Sequence, residues 1–131
     1  MAETRTRRTG HSKGYPQRGE IYLTALDPTI GHEIKKTRPT LIIQNDVSNQ
    51  YSQTTIVAAI TSKVNTPSYP NEAVIQPSAG SGLRVVSTIR LDQLRTIDRQ
   101  RLVKRLGKAD PATMRAVDLA IQASLQLIEL S

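Results

Sequence analysis

The apolar residues of this chain fall into short runs whose spacing changes once, from a period near two to spacings of three and four close to the C-terminus. In "EIYLTAL" (Glu20 to Leu26), Ile21, Leu23 and Ala25 alternate with Tyr22, Thr24 and Leu26, and Asp27-Pro28 follows, which predicts a strand closed by a turn. "PTLIIQ" (Pro39 to Gln44) and "TIVAAIT" (Thr55 to Thr61) are almost continuously apolar and rich in β-branched residues. They predict central strands covered on both faces. The intervening "NDVSNQYSQ" reads as a turn. A loop with Pro67 and Pro70 leads to a short strand around Glu72 to Ile75, "QPSAGSGL" is a further turn, and Arg84 to Ile97 carries one or two more strands. Then the period lengthens. Asp110 suits a helix N-cap and Pro111 the first helical position, where its missing N–H costs nothing. Met114, Val117, Ile121, Leu125 and Ile128 form one stripe, expected to pack on the core. Strands first and a helix last predict a mainly β domain with some α: a small, strongly bent antiparallel sheet or barrel with a C-terminal helix.

Composition narrows the setting. A chain of 131 residues forms one domain that buries roughly two-thirds of its surface. It contains no cysteine, which excludes thiolate nucleophiles and cysteine metal sites and fits a reducing cytoplasm. No apolar stretch approaches the ~18 to 20 residues of a membrane span, and Met1 to Gln17 lacks the apolar segment of a secretory signal. A soluble, cytoplasmic protein is expected. Lys and Arg number 18 against 11 acids, a net charge of +7 that points toward polyanions such as nucleic acid. Met1 to Arg18 holds five of the basic residues and one acid, Glu3, so four of the seven net charges lie there and three remain beyond it. Residues 1–17 read as a basic, disordered tail, either a solubilising extension or a phosphate-gripping arm, ahead of a single domain over 18–131.

Conventional catalytic groups are sparse. His11 in the tail and His32 in the first loop cannot form the paired histidine acid and base of many ribonucleases. Asp27, Asp46, Asp98 and Asp110 each sit where a turn or helix cap explains them, so no metal site is expected. There is no Gly-rich phosphate loop and no serine elbow. Arg38 stands out. Pro39 restrains the preceding backbone to extended geometry, so the guanidinium is held at the mouth of a strand. There it either offers a planar fork of donors to a phosphate or binds a structural carboxylate such as Glu33 or Asp92. Thr61 ends an apolar strand; its hydroxyl either meets a phosphate or 2′-hydroxyl, or satisfies the local backbone. The pattern by itself leaves both pairs of readings open.

Four segments in order, "RGEIYLTALDPTIGHE", "RPTLIIQND", "TIVAAITS" and "DQLRTIDRQRL", with "SGL" before the last, resemble the MazF/PemK family of toxin endoribonucleases from Gly19 to about Ile128. The resemblance implies a compact SH3-like (MazF/CcdB-like) barrel, a homodimer, and metal-independent cleavage of single-stranded RNA at a short sequence, without a cofactor. It assigns the catalytic pair to Arg38 and Thr61. The 2′-hydroxyl would attack the adjacent phosphorus, leaving a 2′,3′-cyclic phosphate and a 5′-hydroxyl. Arg38 would stabilise the pentavalent oxyanion and Thr61 orient the phosphate or the nucleophile. Reading of the RNA falls to exposed loops: Gly31, His32, Glu33, Lys35 and Lys36, then Ser62 and Lys63, with Gln93 as a further candidate. A cognate antitoxin with an acidic, flexible segment is the implied partner. One departure is Arg90, at a place often apolar in this family. The competing reading is a non-catalytic SH3-like module that binds RNA or a protein, as a gyrase poison of similar shape does.

Overall fold

The computed structural model describes residues 14–26, 31–32 and 36–129. The tail up to residue 13 with His11, the Asp27-Pro28 turn, and the candidates Glu33 and Lys35 lie outside these residues.

Six antiparallel strands, β1 (Glu20–Ala25), β2 (Thr37–Ile42), β3 (Thr54–Thr61), β4 (Glu72–Ile75), β5 (Ser87–Asp98) and β6 (Leu102–Lys108), form one sheet in the order β4-β5-β3-β2-β1-β6. Among the described residues two α-helices join them: α1 (Asp46–Tyr51) and the C-terminal α2 (Pro111–Ser124). The strand ladder does not close between the edges β4 and β6. The connection after β4 nevertheless reaches β6, since Lys108 N donates to Gly80 O at 2.8 Å. For a segment leaving one edge to bond the other, the sheet must curl round on itself, which produces the expected small barrel shape. Two glycines permit the approach. A Cβ at Gly82 (φ +73°) would overlap the Leu106 carbonyl, and one at Gly107 would overlap the backbone of Gly80 and Ser81.

Curling also explains the burial of β1. Alternation predicts one buried face, yet Ile21, Tyr22 and Thr24 are all fully buried. Ile21 joins Leu41, Ile60, Ile89, Leu91 and Val117 in the cluster beneath α2, whereas Tyr22 joins Ile42, Val57, Ile97 and Leu102 in a second cluster. Tyr22 can be buried because its hydroxyl donates to Glu20 Oε1 (3.2 Å), and Glu20 also accepts from Gln17 N (2.7 Å) and Arg105 Nε (2.8 Å). Burial pushes the Tyr22 phenol well above its ordinary range, with the Glu20 carboxylate adding to the effect.

Three departures from the sequence reading have local causes. The segment Asn45–Gln53 is not a simple turn: Asn45 caps α1 by accepting from Ser48 N (2.8 Å), and buried Asn49 bonds Gln44, Asp46 and Thr55. Side-chain bonds, rather than periodicity, hold this single turn and a half. Strand β6 had no apolar signature because it is an edge strand bearing exposed Val103, Lys104 and Lys108; charged edges resist pairing with other chains. In α2 the stripe is shorter than spacing implies. Val117, Ala120 and Ala123 are buried, Met114 and Ile121 are partly so, and Leu125 and Ile128 lie exposed beyond the helix end. Small side chains let the helix sit close to the sheet, and Ser124 Oγ donates to Leu91 O (2.8 Å) where it stops. Asp110 caps the helix as expected, accepting from Thr113 N at 2.8 Å.

Candidate active site

Strands β2 and β3 carry the two residues of greatest interest. Their register pairs Thr40 with Ala59, Leu41 with Ala58 and Ile42 with Val57. Continuing it by two residues sets Arg38 across from Thr61, on the same face as the Thr40–Ala59 pair. Both line one concavity of about 360 Å³, together with Ser62, Arg84 and Ser87. Arg38 is partly exposed at the start of β2. On its other side Arg38 pairs with Thr24, next to the buried Thr24–Thr40 hydroxyl pair (2.8 Å).

The far wall of the concavity is the turn after β4. Ser81 Oγ donates toward the carbonyls of Gln76 and Ser78 (3.2 and 3.3 Å) and lies within bonding distance of the amides of Ser78 and Leu83 (3.1 and 3.2 Å). Ser78 Oγ accepts from Ser81 N at 2.9 Å. This net makes "SAGSGL" a rigid wall rather than a loose turn. Among the described residues the lining holds two guanidinium groups, Arg38 and Arg84, and no carboxylate. Such a surface attracts a phosphate and favours negative charge that grows on it.

A second, larger cavity of about 660 Å³ adjoins the first, and Thr61 lines both. Its wall includes Lys63, Asn65, Tyr69, Glu72, Arg90 and Asp92. Arg90, the departure noted in the sequence, forks onto Asp92, with Nε to Oδ1 at 2.8 Å and Nη2 to Oδ2 at 2.7 Å. That pairing raises the Arg90 pKa and lowers that of Asp92, so both stay charged. Asp92, one of the structural carboxylates weighed for Arg38, is thus engaged by Arg90.

Of the candidate RNA-reading residues, Ser62 joins Arg38 and Thr61, and Lys63 lines the second cavity. Gly31, His32 and Lys36 are exposed on the β1–β2 connection and line neither cavity. Gln93 is partly exposed in an irregularity of β5, where Ala58 pairs with Leu94 but Ala59 pairs with Arg90. The sequence pattern does not single out Arg84 and Ser87, because Arg84 to Ile97 reads as strand; β5 starts only at Ser87, leaving Arg84 on the loop that borders the concavity. The signal available was the basic residue directly after "GSGL".

Three comparisons bear on this geometry. Residues 17–125 match the family described as PemK-like, MazF-like toxin of type II toxin–antitoxin system. The chain is 42% identical over 113 residues to the endoribonuclease EndoA of Bacillus subtilis, covering 86% of this chain and 97% of the relative. It is 42% identical over 111 residues to the endoribonuclease MazF of Staphylococcus saprophyticus, covering 85% and 92%. A solved endoribonuclease in complex with its cognate antitoxin, from Mycobacterial species, shares the fold at a TM-score of 0.70 and 24% identity, covering 87% of this chain and 98% of that one. With the match spanning nearly all the described residues and the relatives covered almost end to end, the chain belongs to the PemK-like, MazF-like toxin family of type II toxin–antitoxin systems.

Proposed function

We propose that this protein is an endoribonuclease toxin that cuts single-stranded RNA at a short sequence and is held inactive by a cognate antitoxin. The observation that carries the mechanism is the meeting of Arg38 and Thr61 in one concavity on adjoining strands, beside a second arginine, Arg84. RNA supplies its own nucleophile. The 2′-oxygen forms a bond to phosphorus and loses its proton, the bond from phosphorus to the 5′-oxygen breaks, and that oxygen takes up a proton. The products are a 2′,3′-cyclic phosphate and a 5′-hydroxyl, and no covalent enzyme intermediate is needed. Arg38 offers its fork of N–H donors to the oxygens on which charge accumulates, and Thr61 hydrogen-bonds the phosphate or the 2′-hydroxyl to hold the in-line geometry. Arg84, at the rim, draws the backbone in.

The toxin acts on cytoplasmic RNA as a homodimer. No helix among the described residues is long and apolar enough to cross a membrane, and the chain has no cysteine. An acidic, flexible antitoxin segment laid over the Arg38–Arg84 concavity would neutralise it by charge and by occupancy.

The test is incubation with a long single-stranded RNA in EDTA beside Arg38→Ala, with mapping of fragment ends. Discrete cuts bearing 5′-hydroxyl ends, lost in the variant, are expected. RNA that is bound but left intact would move the protein to the non-catalytic binding class.

A further inference from the structure

The two adjoining cavities differ in charge, and the difference assigns them different parts of the substrate. Among the described residues the Arg38 concavity has two cations and no acid. The cavity beyond Thr61 carries Lys63 and Arg90 against Glu72 and Asp92, so its formal charge is zero. Glu72, with 3% of its side chain exposed, and Asp92 repel a phosphate there, and the Arg90 fork is already spent on Asp92. Yet the cavity is large, polar and shares Thr61 with the scissile-phosphate site. Resting on the ribonuclease reading above, we infer that it holds an unstacked nucleobase next to the scissile phosphate, and that Asn65 reads that base's edge.

Asn65 is set for this by Glu72. The Glu72 carboxylate accepts from Asn65 Nδ2 (2.8 Å) and from Tyr69 N (3.2 Å), with Arg90 Nε 4.0 Å away. An ionised carboxylate only accepts, so it fixes which way the Asn65 amide faces: nitrogen toward Glu72, Oδ1 away from it. The oxygen and the second N–H then form an adjacent acceptor and donor, the pattern with which an asparagine pairs two-point with a base edge. Tyr69, 59% exposed on the same wall, supplies a ring on which the base stacks. Glu72 is a positioning residue: it touches no RNA and acts through the amide it orients. Arg90 serves the same end. It faces Glu72 across the β4–β5 pair and places a counter-charge beside a carboxylate that would otherwise be buried alone.

The experiment sequences every cut made in a long RNA library by the wild type, Asn65→Ala and Glu72→Gln, with Arg38→Ala as the uncut control. Asn65 is only partly buried on a loop, so its truncation leaves the fold intact. Asn65→Ala is expected to lose on the order of tenfold to hundredfold in discrimination at one base beside the cut while keeping preferences elsewhere. Glu72→Gln, whose side-chain amide can present either its oxygen or its nitrogen to Asn65, is expected to relax the same position by a smaller factor; a merely structural Glu72 would lower cutting of all sequences alike. Unchanged preference in Asn65→Ala overturns the assignment of the cavity while leaving the nuclease standing. A wild type that cuts no RNA overturns both.

Discussion

Replacing Arg84 by alanine separates attraction of RNA from chemistry on it. Arg38 and Arg84 line the same concavity, but Arg38 is partly buried at the start of β2, opposite Thr61, whereas Arg84 is exposed on the loop before β5. An exposed guanidinium acts mainly through the field it adds. Losing one phosphate contact reduces the slope of log affinity against log salt by about 0.7 for a single strand, so between about 50 and 200 mM salt the variant's affinity falls about 2.6-fold less than the wild type's. One exposed contact is worth about 0.5 to 1 kcal/mol, which raises KM roughly two- to fivefold at physiological salt and leaves kcat within about twofold. Arg38→Ala should do the opposite. On the proposed mechanism its donors face charge that develops only during attack, and losing one such donor costs about 10²–10³ in kcat. The assay is steady-state cleavage of a short fluorogenic RNA containing the target sequence, run for both variants across a salt series. Arg84→Ala losing kcat as heavily as Arg38→Ala, with an unaltered salt slope, would refute this division of labour.

Other consequences follow from particular contacts. Glu20→Ala removes the carboxylate that accepts from the buried Tyr22 hydroxyl, the Gln17 amide and the one-third-exposed Arg105, which should cost about 3 kcal/mol and move the urea midpoint down by about 1 to 2 M without changing the slope. Gly82→Ala must place a Cβ on the Leu106 carbonyl at a positive φ, so it should destabilise by more than about 1 kcal/mol and weaken cutting as the wall of the concavity shifts, read by thermal melting and cleavage together. Because Arg90 holds the Asp92 pKa below its usual value of 3.8, the pair stabilises the fold above that value and loses its effect as pH falls through the lowered one. Asp92→Asn should therefore be less stable than wild type at neutral pH, with the gap closing at low pH; a constant gap from pH 6 down to pH 2 in denaturant melts would count against the ion pair.

Legibility in the sequence followed the physical origin of each feature. Strands β2 and β3 could be read because near-continuous apolar, β-branched-rich runs are what a doubly covered sheet requires, β4 because a loop with two prolines and a turn bound it, and the N-terminus of α2 because Asp110 and Pro111 satisfy its first turn through local chemistry. The α1 turn and β6 could not, since one depends on buried Asn49 reaching Gln44 and Thr55, and the other is an edge strand defined by its partner β1. The site divides the same way. Arg-Pro at a strand mouth and threonine at a strand end were visible as candidates, and the family resemblance supplied the roles proposed for them.

By itself the sequence determined the class of domain, the restraint on Arg38 and the absence of cysteine chemistry, because each depends on composition or on immediate neighbours. Only the tertiary structure decided that Arg38 and Thr61 share a concavity with Arg84, and that the charges of Lys63, Glu72, Arg90 and Asp92 balance in the cavity alongside. These groups lie on different strands and loops. Their meeting depends on register across β2–β3 and β4–β5 and on the curl of the sheet, which are set by pairing between distant segments and leave no mark on any short stretch of chain.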